Sequence, residues 1–181
     1  MLFLKGIDMK LLVPAFLVFA ACAVAQPAGG DASQNLAEEA KQAYTRVKNN
    51  ILRAAEKMPE ADYSFKATPD VRPFSELLTH VTGAQLRACS LLTGAKPPAM
   101  PAADAKKADI QASLKASFDE CDKAYDSVTA ANQMDTVGSG YMHHSRIGLL
   151  WYNVTHDNEM YGTMAVYMRL KGLVPPSSER R

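Results

Sequence analysis

The chain has 181 residues, of which 48% are hydrophobic and 22% are charged, and its formal net charge is +1. A chain of this size and composition can bury one hydrophobic core without a metal or a partner subunit, so we expect a single globular domain. Because the charges nearly balance and basic residues form no long run, the composition argues against nucleic acid and acidic membrane surfaces as partners.

Residues 1–25 are predicted to be an export signal. They combine an early lysine with the apolar run LLVPAFLVFAACAVA and a small-x-small cleavage site that ends at Ala25, so the mature chain is expected to begin at Gln26. The alternative is a lipoprotein attached through Cys22, because the sequence AAC resembles the end of a lipobox. The apolar run is too short for a stable membrane span, and no other segment approaches that length. We therefore expect a periplasmic or secreted protein.

Removal of this leader would leave two cysteines, Cys89 and Cys121. An even number of cysteines in an oxidising compartment predicts a disulfide, which would join the second helix to the third. The alternative is a pair of buried free thiols with separate packing roles.

Residues 26–32 are predicted to be a flexible lead-in, and the folded domain is expected to span 33–181. From Ser33, apolar residues recur at spacings of three and four as far as Met58, which predicts an amphipathic first helix that Pro59 ends. Three prolines between residues 59 and 73 indicate a long extended connection that crosses the bundle.

The second helix is predicted to start in the turn that contains Pro73 and to run to about Leu92. A loop rich in proline follows. Asp104 is the predicted N-cap of a third helix, whose apolar positions continue to Val128. After a turn at residues 136–140, a fourth helix is expected from about His143 to Lys171. Four helices of this length predict an all-α bundle.

The fourth helix is apolar around nearly its whole circumference. One face can fill the core of the bundle, and the other needs a separate cover. We therefore expect a homodimer with this helix at the interface.

A candidate metal site follows from spacing on the same helix. His156 and Met160 are four residues apart, so both can point at one spot, and His80 on the second helix is the natural third ligand. Gly83 and Ala84, one turn after His80, would leave space beside its imidazole.

Other polar residues lie near the candidate ligands in sequence. Glu76 is the best-placed carboxylate on the second helix, whereas Asp157 and Glu159 are expected to point to either side of the site. His143 and His144 are expected to face solvent without a role.

These segments resemble the DinB-like (DinB/YfiT) superfamily of helical bundles. The resemblance is carried by VRPFSELLTHV around His80 and by HDNEM, YG and RLKGLVPP near the end of the chain. Members typically place one His on the second helix and an H-x-x-x-H pair on the fourth. Met160 stands where the second His of that pair would be.

The resemblance implies a four-helix bundle with a long crossing connection between helices 1 and 2. It also implies a zinc or nickel site and, for an enzyme, a metal-dependent thiol transferase or hydrolase. A thioether is a poor ligand for zinc or nickel and suits Cu(I), so copper, an added carboxylate or water, or an empty vestigial site are open alternatives. The other functional reading is a non-catalytic homodimer that binds a small ligand or none in a metal-free pocket. No nucleophilic triad, phosphate loop or C-x-x-C motif is present.

Overall fold

Four helices build the part of the chain that the computed structural model describes, residues 35–179. They are α1 (Leu36–Lys57), α2 (Phe74–Thr93), α3 (Lys107–Ser127) and α4 (Arg146–Leu170). Two short strands, β1 (Thr136–Val137) and β2 (His144–Ser145), pair antiparallel before α4. The predicted all-α bundle is confirmed. The expected signal peptide, its cleavage site, Cys22 and the lead-in lie outside the described residues.

The bundle is built from two well-packed helix pairs. Helix α2 packs most extensively on α3, and α1 packs on α4, while further contacts join α2 to α4 and α1 to α3. The stacked rings of Tyr44 on α1 and Tyr125 on α3, with centroids 4.0 Å apart, lie fully buried in the core. None of the helices within residues 35–179 is long and apolar enough to cross a membrane.

The long connection between α1 and α2 is held against the helices at both of its ends. Its Tyr63 hydroxyl donates to the carbonyl of Ala55 on α1, and the amide of Phe74 donates to the carbonyl of Phe65. Helix α1 ends at Lys57, just before the predicted breaker Pro59. The chain therefore enters α2 from a fixed direction.

Two helices begin later than the sequence suggests. Asp104 does not cap α3, which starts at Lys107 without a side-chain cap; instead the Lys107 ammonium donates to the carbonyls of Glu56 and Met58 at the end of α1. Helix α4 starts at Arg146 rather than His143, because β2 occupies the preceding residues and the Ser145 hydroxyl accepts from the Gly148 amide.

Helix α4 ends as expected at a glycine. Gly172 has a φ of 74°, a left-handed value that glycine adopts at low cost. The amide of Leu173 donates to the Met168 carbonyl and that of Gly172 to the Arg169 carbonyl, which together form a Schellman motif. The motif directs the C-terminal segment back along the bundle toward α1.

A disulfide joins the paired helices α2 and α3. Cys89 and Cys121 are both buried, their Cα atoms are 5.1 Å apart, and 32 residues separate them in sequence. The bridge lies two to three turns along α2 from His80, so it fixes the helix that carries the first candidate ligand.

Candidate functional site

The two histidines selected from the sequence meet between α2 and α4. The Nε2 atoms of His80 and His156 are 3.0 Å apart, and their ring centroids are separated by 5.0 Å with the rings tilted by 50°. Both side chains are partly buried. Each of two helices that are distant in sequence thus directs the Nε2 atom of its histidine to the same point.

The separation of the two nitrogens is compatible with two states of the pair. Two Zn–N bonds of about 2.0–2.1 Å at a tetrahedral angle hold their nitrogens about 3.3 Å apart, so a shift of a few tenths of an ångström would admit an ion. Without a metal, one neutral ring can donate its Nε2–H to the other. Both states require that the two imidazoles are not protonated together.

The surroundings of His80 favour its neutral form. Burial lowers the pKa of the His80 imidazole, and the positive charges of Arg72, then His156, then Arg87 lower it further, against the opposite effect of Glu159. A neutral imidazole has the free lone pair that a metal ligand needs, so this environment favours the form of His80 that can bind a metal.

A buried carboxylate lies behind His156. Asp157 is 0% exposed, and its Oδ1 is 3.5 Å from Nδ1 of His156, the nitrogen that faces away from His80. Burial raises the pKa of Asp157, while hydrogen bonds from His156 and Gln85 oppose that shift. A carboxylate on the outer nitrogen of a histidine fixes the ring's orientation and tautomer, as it commonly does beside metals.

Asp157 is held in turn by amides from two helices. Its Oδ2 accepts from the side-chain amide of Gln85 on α2 at 2.9 Å and from that of Asn153 on α4 at 3.4 Å. The Gln85 carbonyl accepts from the Ser117 hydroxyl on α3 at 2.5 Å, and the Tyr125 hydroxyl donates to Asn153 at 3.0 Å. Three helices therefore contribute to the network that positions His156.

Met160 occupies a more buried position than an open metal ligand needs. It follows His156 by one helical turn, is 8% exposed, and belongs to the hydrophobic core. Within residues 35–179, no three His, Cys, Asp or Glu side chains are grouped to hold a metal ion. Glu76 therefore does not join both histidines in this arrangement.

A cleft of about 290 Å³ opens beside His80. As the sequence suggested, Gly83 lies at its wall; Ala84 is buried instead. Glu76 is exposed and lines the cleft from the first turn of α2. The other lining side chains come from α2 and the loops at its two ends: Arg72, Thr79, Arg87 and Met100.

A row of stacked rings continues from the histidine pair. Tyr152 stacks with His156 at a centroid distance of 6.5 Å, and His144 stacks with Tyr152 at 5.9 Å. The expectation that His144 simply faces solvent is therefore wrong, because its pairing with Val137 in the strand pair turns it toward α4. His143 is exposed as expected.

The sequence reasoning missed the polar network behind His156. It placed Asp157 to one side of the site, whereas Asp157 is buried, and it assigned no role to Gln85 or Asn153. A signal was present in the sequence: Asn153 and Asp157 are spaced by four residues and fall on the same stripe as Leu150 and Met164. Polar residues on a core-facing stripe need partners, which predicts a buried network.

Comparison with known proteins agrees with this architecture. The sequence profile of the DinB superfamily matches residues 43–164. The chain is similar to a crystallised DinB-like protein from Bacillus cereus, at 17% identity and a TM-score of 0.65, over 80% of this chain and 97% of that one. No curated protein matches the chain. The matched region contains α2, α3, most of α1 and α4, and both histidines, and the chain belongs to the DinB superfamily.

Proposed function

We propose that this protein binds one divalent metal ion, zinc or nickel, through His80 and His156, with Met160 at a weak third position. The observation that carries the proposal is the 3.0 Å approach of the two Nε2 atoms. The Asp157 carboxylate at Nδ1 of His156 supports it, because that contact leaves Nε2 as the free nitrogen.

We propose a metal-dependent thiol transferase or hydrolase as the activity. An ion at this position would lower the pKa of a bound thiol or water and so generate a nucleophile. The residues of the chain supply the remaining requirements: Asp157 orients one imidazole, burial keeps His80 neutral, and the cleft beside His80 admits a substrate. Copper is the alternative metal if the thioether of Met160 coordinates.

A second candidate function is a non-catalytic bundle with a vestigial, metal-free pocket that binds a small ligand or none. The observation that favours it is the burial of Met160 in the hydrophobic core, where methionine is an ordinary filler. A hydrogen bond between the two imidazoles would satisfy both rings without an ion.

Metal analysis of the untagged protein separates the two functions. The proposed site predicts stoichiometric zinc or nickel in the wild type and its loss in the His80→Ala/His156→Ala variant. The matched control is His143→Ala, because His143 is exposed and lies outside the site. A wild-type protein that contains no metal and takes none up from zinc, nickel or copper solutions would establish the vestigial alternative.

Substitution of the third position gives a sharper test. Met160→His places an imidazole at the same helical position and is expected to raise zinc or nickel affinity at least tenfold, because nitrogen is a better ligand than a thioether for these ions. Titration of the apo variant against a competing chelator measures the change. Unchanged affinity would show that position 160 does not face the histidine pair.

We also propose a homodimer that uses the outer face of α4. The supporting observation is a set of exposed large hydrophobic residues on this one helix: Trp151, Tyr152, Val166 and Leu170. Gly162 lies on the same helix with open space where a Cβ would project, so a second backbone could approach there.

Export is proposed for the same chain. The Cys89–Cys121 disulfide supports it, because such bridges persist in oxidising compartments. The intact mass of protein recovered from its native host should correspond to a chain that starts at Gln26, and a mass that retains residues 1–25 would contradict this.

A further inference from the structure

Two arginines share the cleft with His80, and the proposed metal site does not use either of them. Arg72 lies in the connection before α2, and Arg87 lies two turns after His80 on α2. Both are exposed. None of the ion pairs formed within residues 35–179 includes either guanidinium group. Both positive charges are therefore available to a ligand in the cleft.

The Arg87 guanidinium lies at the cleft wall formed by Gly83. Its Nη1 atom is 3.6 Å from the point that a Cβ on Gly83 would occupy, and the Met100 methyl is 3.4 Å from the same point. Since glycine has no side chain, the guanidinium and the Met100 side chain can both lie close to the α2 backbone at this position.

The Arg72 backbone is held in place by α4. The Tyr167 hydroxyl donates to the Arg72 carbonyl at 2.9 Å, and the Tyr167 ring packs edge-on against Phe65 in the connection. The guanidinium of Arg72 thus extends from a fixed point on the rim. Its charge acts on the cleft interior, since it contributes to the lowered pKa of His80.

The size and charge of the cleft define the class of its ligand. The cleft lining carries Arg72 and Arg87 against the single carboxylate of Glu76, a surplus of one positive charge that matches a monoanion. The volume of about 290 Å³ lies at the lower end for ligand pockets, which indicates a small molecule. Guanidinium groups bind planar carboxylates through paired hydrogen bonds.

We propose that this cleft binds a small monocarboxylate through Arg72 and Arg87 and presents the rest of that molecule to the His80–His156 pair. The fate of the bound molecule at the imidazoles rests on the metal-dependent activity proposed above. Carboxylate binding itself requires only the two arginines and the cleft that they line.

Benzoate and its neutral analogue benzamide test the proposal on metal-free protein. The His80 Cε1–H resonance, assigned from its loss in His80→Gln, should shift saturably with benzoate and stay unchanged with benzamide. Arg72→Gln and Arg87→Gln should each raise the benzoate Kd about tenfold, the effect of removing one charge-assisted interaction. Arg46→Gln is the matched control, because Arg46 lines a separate cleft beside α1, and it should leave Kd unchanged.

Three results would overturn the inference: no saturable shift with benzoate, equal binding of benzamide, or the same loss of affinity in Arg46→Gln as in the cleft variants. Circular dichroism of each variant verifies folding, which exposed arginines should not affect. The metal inventory is measured separately, with retention of wild-type metal expected in Arg72→Gln and Arg87→Gln. Benzoate binding by a protein that takes up no metal would refute the proposed activity and leave the carboxylate site established.

Discussion

The His80–His156 pair combines burial with access to a cleft, two properties that normally conflict. Burial lowers the pKa of His80, yet this residue borders a cleft that a small molecule can enter. The charges around it act in opposite senses: arginines favour the neutral imidazole of His80, while the buried Asp157 lies at the far nitrogen of His156. The pair therefore lies between the arginines of the cleft and a buried carboxyl group whose pKa burial raises.

The lowered pKa of His80 predicts how the stability of the metal-free protein depends on pH. Between the folded-state pKa and the unfolded value of about 6.5, the unfolded chain binds more protons than the native state, so stability falls as pH falls. His80→Gln is expected to remove this contribution. Urea unfolding from about pH 5 to 7, with chelator present, measures the slope.

His143→Gln is the control for this measurement, since His143 is exposed and outside the pair. It should retain the wild-type slope. A wild-type protein whose stability does not fall below about pH 6.5 would contradict the assigned environment of His80.

At the residue scale, sequence periodicity could predict which side chains meet but not what supports them. His80 and His156 meet because each lies on a face whose direction follows from the helical repeat. The burial of Asp157 was not predicted, because a helical wheel gives the direction of a side chain and not the polar partner, here Gln85 on α2, that it meets there. Its partner Gln85 lies on α2 and accepts in turn from Ser117 on α3, and the distances between these helices depend on packing that no local pattern contains.

Among the elements, the α2–α3 pair is the most rigid support of the site. The Cys89–Cys121 bridge joins the two helices covalently, and Gln85 and Ser117 connect them by a hydrogen bond one to two turns away. Because α2 carries His80, Arg87 and Gly83, movement of this helix would alter the pair and the cleft together.

Removal of the disulfide should lower stability substantially. A loop closed by 32 residues predicts a loss of roughly 3–4 kcal/mol from chain entropy in the Cys89→Ala/Cys121→Ala variant. Equilibrium denaturation of oxidised wild type, reduced wild type and variant measures it. The reduced wild type separates the cross-link from the lost side-chain volume, and equal midpoints for oxidised and reduced protein would contradict the prediction.

Helices α3 and α4 start at other residues than the sequence predicts. Asp104 has the right chemistry for an N-cap, but the contact of Lys107 with the carbonyl end of α1 sets the start of α3. His143 and His144 continue the period of α4, but pairing of β2 with β1 keeps the backbone extended until Ser145. In both cases a tertiary contact overrides a local preference.

For the molecule as a whole, the outer face of α4 predicts self-association. The wild type should have about twice the chain mass in light scattering after size exclusion, and Trp151→Glu and Val166→Glu should be monomers, because each buries a charge in the interface. Val71→Glu is the matched control: Val71 is 38% exposed, like Trp151 at 37%, but lies in the connection. A monomeric wild type would exclude the dimer.

The packing of α1 on α4 has a consequence for synthesis. The first helix finds its main partner about a hundred residues later in sequence, so its apolar stripe stays without that cover until α4 has left the ribosome. Contacts that form late between distant segments slow folding, and they leave hydrophobic surface exposed in aggregation-prone intermediates. A nascent chain of this topology remains open, and accessible to chaperones, until its last helix emerges.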